Sequence, residues 1–166
     1  MIERTEPPYV CGEREMLEAW LEYHRATLAL KCEGLSAEQL RERSAAPSTL
    51  SLLGLVRHMA DVERNWFRRV LSGEEAPGLF WTEGNIDGDF DDVDIADVGE
   101  AFAAWRAECE NARRAAAAAA SLDVTGTRRG EDVSLLWIYV HMIEEYARHN
   151  GHADLLRERI DGARGE

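Results

Sequence analysis

The residues with the clearest chemical potential lie in the segment HMIEEYARHNGH, from His141 to His152. Glu145 and His149 are four residues apart, and this spacing places both side chains on one face of a helix, one turn apart. Imidazole and carboxylate are both ligands of divalent zinc, and HExxH helices use the same spacing for two histidines. The pair is therefore a candidate for part of a metal site.

The helical face that carries Glu145 and His149 is predicted to point toward the core, where a charged side chain is unfavourable. Four apolar residues fall within about 40° of His149 on a helical wheel: Met142, Leu156, Ala153 and Ile160. Glu145 lies about 40° to one side and also faces inward. Burying an ionised carboxylate costs roughly several kcal/mol unless a cation compensates it. A divalent metal ion would supply that compensation.

A catalytic zinc ion usually has three protein ligands and one open position. His58 is the best candidate for the third ligand, because it lies beside the apolar stripe of the second long helix. We expect His24 and His141 either to make ordinary hydrogen bonds within the protein or to face solvent. His152 could orient a ligand, line a cavity or face water.

The residues alone leave an alternative open, in which no metal binds. A glutamate and a histidine four apart often form a simple hydrogen-bonded pair on a wet helix face. Arg148 could also neutralise Glu145 in place of a cation. If a metal does bind, imidazole and carboxylate suit nickel, iron or manganese as well as zinc.

Four long amphipathic segments are predicted to position these residues, and none of the chain is predicted as strand. We place the helices at residues 13–33, 49–71, 98–120 and 134–160. In the first helix, the residues of the predicted buried stripe are separated by four and three positions in turn: Met16, Trp20, Tyr23, Thr27 and Leu30. A capping-box pattern, Ser36 with Gln39, predicts a short extra helix between the first two. The predicted fold is an all-α four-helix bundle, with residues 1–166 forming one domain.

Two connections are predicted as loops. Residues 74–97, between the second and third long helices, contain the acidic run DGDFDDVD. The run does not match an EF-hand calcium loop, because the glycine at loop position six and the glutamate at position twelve are missing. We expect a solvated acidic loop there, and a glycine-containing loop at residues 122–132.

Composition narrows the classes of partner. The chain has 19 basic and 32 acidic residues, a formal charge of −13, which disfavours binding to nucleic acid and to anionic membranes. The three cysteines are scattered and form no CxxC pair, so we expect neither disulfides nor a thiolate metal site, and a buried inert thiol at Cys32 and Cys109. No signal peptide or membrane span is evident, so a cytoplasmic location is expected.

Two helical blocks, LSLLGLVRHMADVERNWF (residues 50–67) and HMIEEYARHNGHADLLRERIDG (residues 141–162), resemble the DinB-like superfamily of bacterial metal-binding bundles. The resemblance is strongest to its actinobacterial branch, related to mycothiol-dependent S-transferases and to the metal-binding domain of mycothiol-dependent maleylpyruvate isomerase. The superfamily generally uses three histidines as metal ligands. The matching positions in this sequence are His58, Glu145 and His149, so a glutamate replaces the middle histidine. The glutamate in the middle resembles the His-Glu-His variant of the isomerase group.

The resemblance implies a metal-dependent S-transferase that joins mycothiol or a similar thiol to small electrophiles. A metal-dependent hydrolase and a non-catalytic, metal-stabilised stress or binding protein are the alternatives. Relatives often have arginine at the position of Leu136, and the isomerases have a further C-terminal domain, so maleylpyruvate isomerisation is not expected. A homodimer is expected, because relatives commonly pair. Four aromatic residues could form an exposed pairing face for it, although ordinary core packing explains the same residues: Trp66, Phe67, Phe80 and Trp81.

Overall fold

The computed structural model describes residues 2–165, which are mostly helical with one small sheet. The helices are α1 (Glu13–Cys32), α2 (Ala37–Arg41), α3 (Leu52–Glu63), α4 (Gly88–Asp91), α5 (Val98–Ala118) and α6 (Leu135–Asp161). A π-helix, Arg64–Leu71, continues α3, and a 3-10 turn, Asp92–Asp94, follows α4. The strands are β1 (Thr125–Arg128) and β2 (Glu131–Ser134). Within residues 2–165, no helix combines the length and apolar character needed to cross a bilayer.

Several helix ends follow the local sequence signals. The hydroxyl of Ser36 accepts a hydrogen bond from the Gln39 amide, and the Gln39 side chain accepts one from the Ser36 amide, so the predicted capping box is confirmed. The Ser134 hydroxyl caps α6 by accepting a hydrogen bond from the Trp137 amide. Gly34 has a φ of +80°, the left-handed conformation that commonly ends a helix.

The second long helix ends at Leu71 as predicted, but it differs from its prediction at its start and in the helix type of its last part. It begins at Leu52 and not near residue 49, because the Ser51 hydroxyl accepts the hydrogen bond that starts it. From Arg64 onward it widens into the π-helix. Trp66 and Phe67 on this segment are only 3% and 1% exposed, so the prediction that they form an exposed pairing face is wrong. Their rings face the core instead.

The predicted loop at residues 122–132 is wrong in its second half, where β1 and β2 form an antiparallel hairpin. Arg129 and Gly130 connect the strands, and both have positive φ, as two-residue type I′ hairpin turns require. Gly126 lies against the π-helix so closely that an added Cβ would come within 2.7 Å of the Leu71 Cα. The strands have few apolar residues, which explains why their pairing left no pattern in the sequence.

The core forms where α1 packs on α6 and where α3 packs on α5 and α6. The predicted stripe of α1 has the wrong phase: Trp20 is 40% exposed, whereas Leu21 and Leu28 are buried. Arg25 is also buried on this face. A prediction that places polar residues on the solvent side of a helix cannot identify such a residue. Its burial depends on a partner from another helix.

That partner is Glu63, at the end of α3. The Arg25 guanidinium donates hydrogen bonds of 2.7 and 2.6 Å to the two carboxylate oxygens of Glu63. The Tyr146 hydroxyl donates a third, of 2.7 Å, and itself accepts one from the Trp105 indole. This fully hydrogen-bonded network joins α1, α3, α5 and α6 at the centre of the molecule.

Candidate metal site

α3 and α6 bring the three predicted ligands together. One ligand atom from each of His58, Glu145 and His149 lies within 4.8 Å of the others. The two imidazole rings have centroids 4.8 Å apart, and the His149 Nε2 atom lies 3.4 Å from a Glu145 carboxylate oxygen. His58 and Glu145 line a cavity of about 350 Å³ that opens to solvent. The cluster is therefore accessible to small molecules.

The position of the cluster on α6 follows from the buried face of that helix. The apolar residues predicted around His149, among them Met142 and Leu156, are buried. Tyr146 and Asn150 are buried too, so the centre of the buried face lies further from Glu145 than predicted. The Glu145 side chain is consequently 20% exposed, at the edge of the core.

A second carboxylate orients His58. The Nδ1 atom of His58 lies 2.8 Å from a carboxylate oxygen of Asp89, which is buried on α4. Arg57 holds this short helix in place by donating hydrogen bonds of 2.9 Å to the backbone carbonyls of Gly88 and Asp89. With Nδ1–H donating to Asp89, the lone pair of His58 is on Nε2.

Sequence reasoning missed Asp89. The acidic run was predicted to be a solvated loop, but Asp89 is only 5% exposed and part of the run is helical. Nothing in the local pattern distinguishes it from Asp91 or Asp92, which are exposed. Only the packing of α4 on α3 selects it.

Glu145 is surrounded by imidazoles and not by a guanidinium. The nearby arginine, Arg148, pairs with Glu144, so the alternative in which Arg148 neutralises Glu145 does not occur. The Nε2 atoms of His141 and His149 each lie 3.4 Å from Glu145. The hydrogen bond with His149 lowers the pKa of the Glu145 carboxyl. Burial acts in the opposite direction, but the neighbouring imidazoles lower the pKa as well, so it lies below its ordinary value. The carboxylate is thus in the ionised form that a metal ligand needs.

His141 lies next to the cluster in an aromatic setting. Its ring centroid is 4.6 Å from that of Trp66 and 4.9 Å from that of Trp137, and burial lowers its pKa. Together with Glu144 and Glu145 it forms a second group of possible ligands, although Glu144 is exposed. His141 was expected only to form ordinary hydrogen bonds or to face solvent, whereas the structure places it in contact with the proposed ligand Glu145.

The remaining two histidines have different surroundings. The Nδ1 atom of His152 lies 3.4 Å from that of His149, which fits the predicted possibility that His152 orients a ligand. His24 lies beside Asn150, whose side-chain amide donates to the His24 carbonyl. His24 belongs to neither group of possible ligands among the described residues.

The donor set fits a divalent cation. Two imidazoles and one ionised carboxylate converge, and one imidazole already has the outer carboxylate partner that metal-bound histidines usually have. None of the three cysteines is part of the set.

A family model described as Mycothiol-S-transferase matches residues 16–162, a range that includes all three ligand candidates. The chain belongs to the mycothiol S-transferase family. This family is part of the DinB-like superfamily, so the resemblance seen in the sequence is confirmed. No curated protein matches the chain. Its membership of the mycothiol S-transferase family indicates a mycothiol-related transferase.

Proposed function

We propose that this chain is a metal-dependent thiol S-transferase, which conjugates mycothiol or a similar low-molecular-weight thiol to small electrophiles. His58, Glu145 and His149 would hold one divalent metal ion. The observation that carries the proposal is the convergence of these ligand atoms within 4.8 Å in a chain of this family. Zinc is the metal we propose, and nickel, iron and manganese suit the same donors.

The chain's own residues would prepare the site. The Asp89 carboxylate accepts a hydrogen bond from the Nδ1–H group of His58, which leaves Nε2 as the free acceptor. His141 and His149 contact opposite oxygens of Glu145 and so restrict its rotation. A divalent cation, when bound, would act as a Lewis acid that lowers the pKa of a thiol at its open position.

The nucleophile would come from the cosubstrate and not from the protein. Burial raises the pKa of the Cys32 thiol to about 12, and burial raises the pKa of Cys109 further. The pKa of Cys11 is also raised, so none of the three thiols is ionised at neutral pH. In a substitution, the cosubstrate sulfur would form a bond to carbon while the leaving group departs with its electron pair and the thiol proton passes to solvent.

We further propose that the long helices form a DinB-like four-helix bundle, that residues 1–166 are a single domain, and that the protein is a cytoplasmic homodimer. The charge of −13 supports the proposal that it binds neither nucleic acid nor membrane. A homodimer would have to use a surface other than Trp66 and Phe67, since both are buried.

The test compares thiol-dependent turnover of a generic electrophile by the native protein, His149→Ala and His24→Ala. We expect His149→Ala to lose the activity and the bound metal, while His24→Ala keeps both. His24 is the matched control because it is a half-buried histidine outside the ligand group. Native protein that retains its metal yet turns substrate over without added thiol would contradict the transferase and indicate a hydrolase.

A further inference from the structure

Three arginines, two on the hairpin and one on the π-helix, form a positive cluster. Arg69, Arg128 and Arg129 line one cavity of about 540 Å³ together with Trp81 and Glu74, whose carboxylate pairs with Arg68. All three are exposed, and none has an ion pair with a carboxylate of residues 2–165. Because acidic residues outnumber basic ones by 32 to 19, three guanidiniums that line one cavity without an ion pair to any of residues 2–165 are unusual for this chain. We call them the arginine cluster.

Arg128 links the arginine cluster to the candidate metal site. It also lines the cavity of about 350 Å³ that His58, His141 and Glu145 line. Its guanidinium carbon lies 4.4 Å from the centre of the Trp66 ring, and this cation–π contact helps to orient it. Asp61 and Asp89 line it too, and Arg128 is the one cation among its lining residues within the described part of the chain. A small molecule in this cavity can therefore contact Arg128 together with His58 and Glu145.

The hairpin backbone holds Arg128 and Arg129 close to the π-helix, which carries Arg69. Gly126, two residues before Arg128 on β1, allows the close approach to Val70 and Leu71. Arg129 adopts a φ of +52°, a conformation in which asparagine, aspartate or glycine is usual in such turns. Turn chemistry alone thus gives no reason for arginine at this position, whereas binding of an anion does.

We propose that the arginine cluster is the subsite for a carboxylate on the electrophile, so that the preferred substrates are small carboxylate-bearing electrophiles. A guanidinium presents paired N–H donors that match the two oxygens of a carboxylate. The bound carboxylate would place the reactive carbon in the cavity shared with His58 and Glu145. This inference rests on the proposed transferase function.

The test uses two electrophiles that differ mainly in charge, iodoacetate and iodoacetamide, with mycothiol as the thiol. In each reaction the sulfur–carbon bond forms, the carbon–iodine bond breaks, iodide leaves with the electron pair and the thiol proton passes to solvent. We expect Arg128→Gln to raise the KM for iodoacetate about 10-fold and to change the KM for iodoacetamide less than about two-fold. Arg106→Gln, on an exposed part of α5, is the matched control and should change neither.

Arg129→Asn separates binding from folding. Asparagine suits a positive φ better than arginine does, so thermal stability should stay equal or rise. The KM for iodoacetate should nevertheless rise, since one positive charge is lost. A variant with raised stability and an unchanged KM for iodoacetate would contradict a role for Arg129.

The outcomes distinguish the inference from the function on which it rests. If the native protein is thiol-dependent but Arg128→Gln affects both electrophiles equally or neither, the subsite is wrong and the transferase stands. If the native protein turns over neither electrophile, the transferase fails, and binding of succinate, followed by tryptophan fluorescence, decides the subsite. Affinity that falls with Arg128→Gln and not with Arg106→Gln supports it, and affinity that is absent or unaffected overturns it.

Discussion

The Nδ1 atom of His58 lies 2.8 Å from a carboxylate oxygen of Asp89, although 31 positions separate the two residues in the chain. Asp89 is 5% exposed and lies on a helix of only four residues, which Arg57 fastens to α3. The carboxylate fixes the imidazole tautomer and the ring orientation. Asp89 is therefore a positioning residue of the candidate site.

Replacing Asp89 by asparagine should weaken metal binding. The loss of the negative charge makes His58 a poorer and less well oriented ligand, and such changes typically cost about 10–100-fold in affinity. Competition with a chromophoric chelator measures the effect. Asp91→Asn, an exposed change on the same short helix, is the control. If both variants bind metal as the native protein does, Asp89 has no role in orienting His58.

Replacing Glu63 by glutamine should destabilise the fold strongly. Arg25 would remain buried and charged without its carboxylate, which typically costs about 3–5 kcal/mol in the free energy of unfolding. Glu22 also pairs with Arg25 but is 44% exposed, so Glu22→Gln should cost less than about 1 kcal/mol. Urea unfolding followed by circular dichroism compares the two variants. Similar losses from both would mean that burial of the pair is unimportant.

The contribution of Glu22 should depend on pH. Burial raises the pKa of Glu22, but Arg113 and Arg25 outweigh this and hold it below its ordinary value of 4.5. Such a group stabilises the fold above its unfolded pKa, and the contribution disappears as pH falls through the folded pKa. The difference in Tm between the native protein and Glu22→Gln should therefore shrink between about pH 6 and about pH 3. Glu83→Gln, at an exposed position, is the reference variant. A Tm difference for Glu22→Gln that stays constant or grows as the pH falls would contradict this prediction.

Two glycine-to-alanine changes should shift stability in opposite directions. At Gly126 the new methyl group would collide with the backbone of the π-helix, so we expect a loss of about 1–3 kcal/mol in the free energy of unfolding. Gly151 is exposed within α6, and a Cβ there meets no atom within 4 Å. Alanine at this position should add about 0.5–1 kcal/mol, because it favours helix. Denaturant unfolding of both variants is the check, and equal signs would refute the close packing of the hairpin.

Much of the candidate site follows from periodicity, because a single long helix carries two of its three proposed ligands. The apolar stripe of α6 has a clear phase, which correctly brought Glu145 and His149 to one face near the core. His58 was selected because it lies beside the apolar stripe of the second long helix, and the resemblance to the DinB-like superfamily indicated the same residue. The family match confirms that resemblance, whereas the ligand set itself stays a proposal.

The features that sequence reasoning missed depend on contacts between distant segments. Arg25 is buried only because Glu63 approaches it from α3, so the phase of α1 could not be derived from α1 alone. Asp89 differs from its acidic neighbours only in its packing. The hairpin that carries Arg128 has too few apolar residues to leave an alternating pattern.

Metal content of two neighbouring glutamate variants tests the central claim most directly. Glu144→Gln and Glu145→Gln make the same chemical change one position apart, and only Glu145 belongs to the group formed with His58 and His149. Elemental analysis of purified protein should find about one divalent ion per chain in the native protein and in Glu144→Gln, and little in Glu145→Gln. Equal metal content in both variants would contradict the proposed site.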